Sequence, residues 1–328
     1  MTTESNDRLI VIVGLGSTGL SCAKYFASQG EAFKVVDDRE NPPGLEELKK
    51  ILPDIELELG SFSEETFLKA KQLVVSPGVS LKTEQIVAAR LAGVPITGDI
   101  DIFSKVVDAP IIGVTGSNGK STVVALLAEI FRKAGKRYAL GGNLDGANFK
   151  PALDLLDEDK KDFYILELSS FQLETTESLN AEVAVLLNLS EDHMDRYSSL
   201  EEYHQAKQRI FKGCKQIVIN RDDSYSNPAS ELEVPKWDFG FSRPGINGFG
   251  LLEDGGEQYL AYHFDKIVSV NELKVFGQHN ISNVLAAIAL AMSVGIDIKP
   301  IKKAITEFTG LPHRCQWVRN ISGVEFYN

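Results

Sequence analysis

Ile111-Ile112-Gly113-Val114-Thr115-Gly116-Ser117-Asn118-Gly119-Lys120-Ser121-Thr122 decides the fold of this chain. A β-branched apolar run breaks at two glycines three residues apart, meets Lys-Ser-Thr, and passes into an apolar pattern of helical period from Val123 to Phe131. That order reads as strand, phosphate loop, helix. Backbone N–H groups of such a loop, here Gly116 to Thr122, cradle phosphate oxygens together with the positive end of the helix; Lys120 adds a point charge and Ser121 a hydroxyl for Mg²⁺. Val114 stands where the longer GxxxxGK[ST] pattern wants glycine, so this is a shorter TGxxGKS loop. The plain alternative is a glycine turn beside a surface lysine.

Upstream, Leu9 to Val13 is a buried-strand pattern that runs into Gly14-Leu-Gly16-Ser17-Thr18-Gly19, then a helix from Leu20 to Ala27 and a second strand, Phe33 to Asp37-Asp38. This is the dinucleotide fingerprint in its βαβ setting, and alone it makes a nicotinamide-dependent oxidoreductase the leading reading. Further α/β units follow, ending with the strand Gln72 to Val75 and Ser76-Pro77-Gly78. Those residues lie at a strand's carboxyl end, where a ligand contact or an ordinary turn fits equally well.

Downstream, Phe163 to Leu166 is an apolar strand ending in Glu167, an acid placed to hold Mg²⁺ or simply to be solvated. Val183 to Leu187 delivers Asn188-Leu-Ser190-Glu191-Asp192-His193-Met194-Asp195, a source of a metal ligand or of a helix cap. Leu200 to Phe211 reads as a helix with Tyr203, Lys207 and Phe211 on one face; a lysine so flanked ordinarily packs its stem and keeps its amine in water. Short alternating segments from Trp237 to Val270 read as a small antiparallel sheet attached to the α/β core. Helices follow over Ile281–Ser293 and Lys299–Phe308, and Gly323 to Asn328 looks like the start of a strand.

At 328 residues two domains are expected, and the composition is that of an ordinary globular protein, 43% hydrophobic and 24% charged. A net charge of −12 argues against a general nucleic-acid or anionic-membrane binder. Cys22, Cys214 and Cys315 are too scattered for a zinc or disulfide framework, and no stretch is long enough to span a membrane, so a cytoplasmic location is expected.

Five segments then point one way: Thr115 to Thr122, Glu167-Leu-Ser-Ser-Phe-Gln-Leu-Glu174, Glu191-Asp-His-Met-Asp-Arg-Tyr197, Tyr203-His-Gln-Ala-Lys207 and Gly277-Gln-His-Asn280. Together, and in this order along nearly the whole chain, they resemble the Mur ligases. The resemblance implies an α/β protein with a Rossmann-like parallel-sheet domain over 1–98 for a UDP-linked substrate. It implies a central P-loop, ATPase-like domain over 99–310, and a linker with the start of a third domain over 311–328.

By the same resemblance Ser17, Thr18, Asp38, Arg39, Ser76 and Gly78 face a uridine diphosphate instead of a nicotinamide, and Asn143 and His193 contact the muramoyl substrate. Lys120 and Ser121 meet the ATP phosphates and Mg²⁺, Asn283 and Arg314 the nucleotide, and Glu167 and His193 the metal. Lys207 matches a carbamylated lysine that helps hold a second Mg²⁺. The implied reaction is ATP-driven amide formation in peptidoglycan precursor synthesis. Ser-Ser-Phe-Gln and Asp-His-Met-Asp favour the branch that joins D-glutamate to UDP-N-acetylmuramoyl-L-alanine, working as a monomer. The family continues past the position of Tyr327-Asn328 into a third domain, so the expectation is a fragment with little or no ligation of its own. A nucleotide-binding module without chemistry is the remaining alternative.

Overall fold

The computed structural model describes residues 8–143, 150–177 and 179–311, and the backbone of 317–321 and 324–327. It divides into two compact units, one of Met1–Val107, Lys150–Asp159 and Ser170–Glu177, the other of Asp108–Phe149, Lys160–Ser169 and Ser178–Asn328.

The first unit alternates strand and helix: β1 (Ile10–Val13), α1 (Ser17–Ser28), β2 (Phe33–Asp37), α2 (Leu45–Ile51), β3 (Leu57–Leu59) and α3 (Glu64–Leu68). It continues with β4 (Gln72–Val75), α4 (Glu84–Leu91), β5 (Ile96–Thr97) and α5 (Asp99–Val106). All five strands are parallel, in the order β3-β2-β1-β4-β5. Helices cover such a sheet, which is why β1 is Ile-Val-Ile-Val with every residue buried. The order reverses between β1 and β4, so a crevice opens at their carboxyl ends.

The second unit begins with β6 (Ile111–Thr115), α6 (Lys120–Lys133), β7 (Tyr138–Gly142) and β8 (Phe163–Glu167). The five-residue helix α7 (Ser170–Glu174) returns to the first unit. Then come β9 (Val183–Leu186), α8 (Leu200–Gln208), β10 (Ile217–Asn220), β11 (Lys236–Phe239), β12 (Gly248–Asp254), β13 (Glu257–Tyr262) and β14 (Asp265–Ser269). Helices α9 (Gln278–Ser293) and α10 (Ile298–Glu307) follow, and the antiparallel pair β15 (Trp317–Ile321) and β16 (Val324–Tyr327) comes last.

One nine-stranded sheet runs β14-β13-β12-β11-β10-β9-β6-β8-β7. The expected antiparallel segment attached to the core is β12 to β14; its attachment is through β11 and β12, which pair in parallel and carry the main sheet outward. Alternation along a strand reports that one face is wet; it does not report which sheet the strand joins. Ala-rich α9, buried continuously from Val284 to Ala291, packs with α6 over this sheet, because small side chains let the helices approach closely. Truncating one of its buried leucines, Leu285 or Leu290, would cost about 2–5 kcal/mol.

Candidate functional site

In the first unit, Gly14 to Gly19 turns from β1 into α1 at the sheet's reversal point. A Cβ on Gly19 would lie 1.9 Å from the Gly14 carbonyl oxygen, so only glycine permits this close turn. Ser17 and Thr18 occupy the first turn of α1, whose N–H groups have no intrahelical acceptor. The Ser76 hydroxyl, from the end of β4, donates to the Gly14 carbonyl at 2.9 Å and pins the loop, while Gly78 is exposed just beyond.

At the end of β2, Asp38 is exposed, whereas Asp37, which the sequence reading passed over, is buried. Asp37 accepts from the Leu15 N–H at 2.6 Å and from the Arg39 guanidinium at 2.7 Å on each oxygen. Burial alone would raise this carboxyl, but the bonds from Arg39 and the Leu15 N–H outweigh it and hold the group below its usual range. Both carboxylate oxygens are thus engaged within the unit, and the pair fixes the Arg39 guanidinium beside the loop.

In the second unit, three adjacent strand ends converge: β6 carries the phosphate loop, β8 ends in Glu167, and β9 leads to Asn188. Gly119 has φ +83°, and a Cβ there would meet the Asn283 Oδ1 of α9 at 2.3 Å, so the structure brings Asn283 against the loop. The Lys120 ammonium bends back onto the carbonyls of Gly116 and Ser117, at 2.9 and 3.1 Å. Lys207, from α8, also reaches the Gly116 carbonyl, at 2.9 Å, with the Thr115 hydroxyl 3.4 Å away.

Two ammonium groups therefore share one carbonyl oxygen. This overturns the residue-level expectation that Lys207 holds its amine in water, since it is 2% exposed. Burial first, and repulsion from Lys120 second, push its amine down to about 7. Tyr203 is buried beside it, its ring 4.8 Å beneath the Lys207 amine and its hydroxyl 3.2 Å from that of Ser117.

Glu167 is buried, and its Oε1 lies 3.4 Å from the Asn143 side-chain nitrogen, while the Asn143 N–H donates to the Glu167 carbonyl at 2.7 Å. His193 sits in the left-handed region at φ +55°, its ring 6.4 Å from that of Tyr203 and its Nε2 3.5 Å from Asp192. Arg314 lies outside the described residues.

Among the described residues, no three His, Cys, Asp or Glu side chains are grouped so as to hold a metal ion. A carboxylate from Glu167 and a hydroxyl from Ser121 are nonetheless hard oxygen donors. Mg²⁺ ordinarily takes only one or two carboxylates and completes its shell with phosphate and water, so the donor chemistry fits that ion.

The chain matches the family model described as Mur ligase middle domain over residues 114–291, and Mur ligase MurD-like, N-terminal domain over residues 8–98. It belongs to the Mur ligase family. Among its relatives is the UDP-N-acetylmuramoylalanine--D-glutamate ligase of Pseudomonas savastanoi pv. phaseolicola, 49% identical over all of this chain and 72% of the relative. The enzyme of the same name from Marinobacter nauticus is 46% identical over the same shares.

Solved structures share the fold. The UDP-N-acetylmuramate:L-alanyl-gamma-D-glutamyl-meso-diaminopimelate ligase of Neisseria meningitides aligns with TM-score 0.63 at 20% identity, covering 93% of this chain and 99% of that one. The UDP-N-acetylmuramate-alanine ligase of Thermotoga maritima aligns with TM-score 0.55 at 22% identity, covering 97% and 73%.

Proposed function

We propose that this chain is an ATP-dependent ligase of peptidoglycan precursor synthesis that prepares the alanyl carboxylate of UDP-N-acetylmuramoyl-L-alanine for amide formation with D-glutamate. The observation that carries the reading is the pair of lysines converging on the Gly116 carbonyl at the head of α6, with buried Glu167 on the neighbouring strand. The relatives' shared name supports the choice of amino acid.

A carboxylate is a poor electrophile because oxide would have to leave. Its oxygen attacks the γ-phosphorus, the bond to ADP breaks, and the resulting acyl phosphate loses phosphate when the D-glutamate nitrogen attacks the carbonyl carbon and sheds a proton. Two anions must meet for this, so the protein's contribution is charge neutralisation and alignment. Lys120 swings from its carbonyls to the triphosphate, the N–H groups at the head of α6 receive its oxygens, and Asn283 keeps Gly119 in its turn. Ser121, Glu167 and His193 would hold Mg²⁺, which supplies positive charge to the phosphoryl oxygens.

The burial that keeps the Lys207 amine partly neutral favours its reaction with CO₂ to a carbamate, a carboxylate-like end suited to a second Mg²⁺. In the first unit, Ser17, Thr18, Arg39, Ser76 and Gly78 surround the uridine diphosphate, with Asp38 at the rim, and Asn143 meets the muramoyl part. We place the protein in the cytoplasm as a monomer. Its proposed substrates are soluble nucleotides.

Calorimetric titration with UDP-N-acetylmuramoyl-L-alanine, MgATP and NAD⁺ tests the reading, together with mass spectrometry for the amide after D-glutamate is added. Saturable binding of the first two and none of the third is expected. NAD⁺ binding without the UDP-linked substrate would instead make the first unit a dinucleotide site.

A further inference from the structure

Past the last strand pair, β6 and β9 should diverge, yet their pairing continues into the phosphate loop. The Leu187 N–H donates to the Thr115 carbonyl at 2.9 Å, and the Ser117 N–H donates to the Asn188 carbonyl at 3.0 Å. At the next step the partner is a side chain. The Asn118 N–H donates to Asn188 Oδ1 at 2.9 Å, and Asn188 Nδ2 donates to the Asn118 carbonyl at 3.1 Å. A carboxamide carries one donor and one acceptor in a fixed plane, so Asn188 pairs with residue 118 as one more strand residue would.

The Ser117 hydroxyl fastens the same junction by accepting from the Ser190 N–H at 3.0 Å. Asn188 is itself held from behind. Asn220 at the end of β10 donates its side-chain amide to the Leu187 carbonyl at 2.7 Å, and Asp223 accepts from the Leu189 N–H at 2.8 Å.

We propose that Asn188 is a positioning residue for the triphosphate: its carboxamide fixes Asn118, and through it the Gly119 turn, so that the N–H groups of Lys120, Ser121 and Thr122 are aimed before nucleotide arrives. Ser117 and Asn118 spend their own N–H groups on this clamp, which leaves those from Gly119 onward to receive the anion. Preorganisation of this kind raises affinity by removing the cost of ordering the loop on binding. The inference rests on the nucleotide reading of the second unit.

The test pairs a variant with a measurement on the parent protein. Asn188→Leu keeps the side chain's size and removes both bonds; MgATP affinity, read by calorimetry, falls about tenfold. Affinity for UDP-N-acetylmuramoyl-L-alanine, bound in the first unit, stays unchanged, whereas a general loss of structure would weaken both. In the parent protein without nucleotide, hydrogen exchange at the Ser117 and Asn118 amides is slow, and exchange at Lys120 to Thr122 slows only when MgATP is added. Unaltered MgATP affinity in Asn188→Leu, or fast exchange at Ser117 and Asn118 in the parent, overturns the clamp alone. Failure of the parent to bind MgATP removes the nucleotide reading and the clamp with it.

Discussion

The two glycine loops, Gly14 to Gly19 and Gly116 to Thr122, have the same local grammar of strand, tight turn and helix, yet the charged side chains beside them differ. Beside the first, Arg39 at the end of β2 is paired with the buried carboxylate it grips, Asp37. Above the second, two lysines lean on a single carbonyl oxygen. A helix N-terminus with one paired cation suits a diphosphate bound for recognition, whereas Lys120 together with groups that would hold Mg²⁺ suits a triphosphate whose terminal group must be transferred. Backbone shape makes both loops candidate anion sites, and under the proposed function the side chains reaching in from neighbouring strands and helices divide the labour between them.

Lys120→Ala should break the contrast most sharply. MgATP affinity is expected to fall at least ~100-fold as a desolvated charge on the triphosphate is lost, with UDP-linked substrate binding within twofold of the parent in the same calorimeter. Gly119→Ala comes next, because the new methyl would collide with Asn283 at a left-handed backbone position. Roughly tenfold weaker MgATP binding is expected, and unchanged affinity would show that the turn relaxes freely.

Asp37→Ala addresses the other loop. It strips the Leu15 N–H of its acceptor and frees Arg39, so the UDP-linked ligand should bind about five- to tenfold more weakly, while MgATP binding stays as it was.

The smallest effect concerns stability and is confined to the first unit. Asp99, wholly buried at the start of α5 with neither carboxylate oxygen hydrogen-bonded, among the described residues, to another side chain or to a main-chain donor beyond its own turn, is pushed up to about 6 by burial. An acid whose folded value exceeds its unfolded one of 3.8 binds its proton more tightly when folded. The unit therefore loses stability as pH rises from about 4 to 6, and the penalty is constant above that. Asp99→Asn removes the penalty. Its advantage over the parent in thermal melts should grow by about 1 kcal/mol between pH 5 and pH 7.5, and an advantage that shrinks over that range would contradict the assignment.

Much of the site was legible because its chemistry sits where strands end. Thr115 to Thr122, Glu167 and Gly14 to Gly19 follow apolar runs whose periodicity announces them. Asp37 was overlooked in favour of Asp38 because two adjacent acids look alike until the pleat turns one inward and the other out. Asn188 gave no signal beyond its place after an apolar strand, since its partner is 70 residues away.

By itself, then, the sequence determined the alternation of strands and helices, the two glycine turns and the family, because these depend on local periodicity and on glycines at fixed spacing. Only the tertiary structure decided that Lys207 is buried against Gly116, that Asn188 extends a strand with its side chain, and that β12 to β14 join the main sheet through the parallel pair β11 and β12. Burial and strand neighbours are set by contacts across tens of residues, and an amine's charge depends on the solvent those contacts leave it.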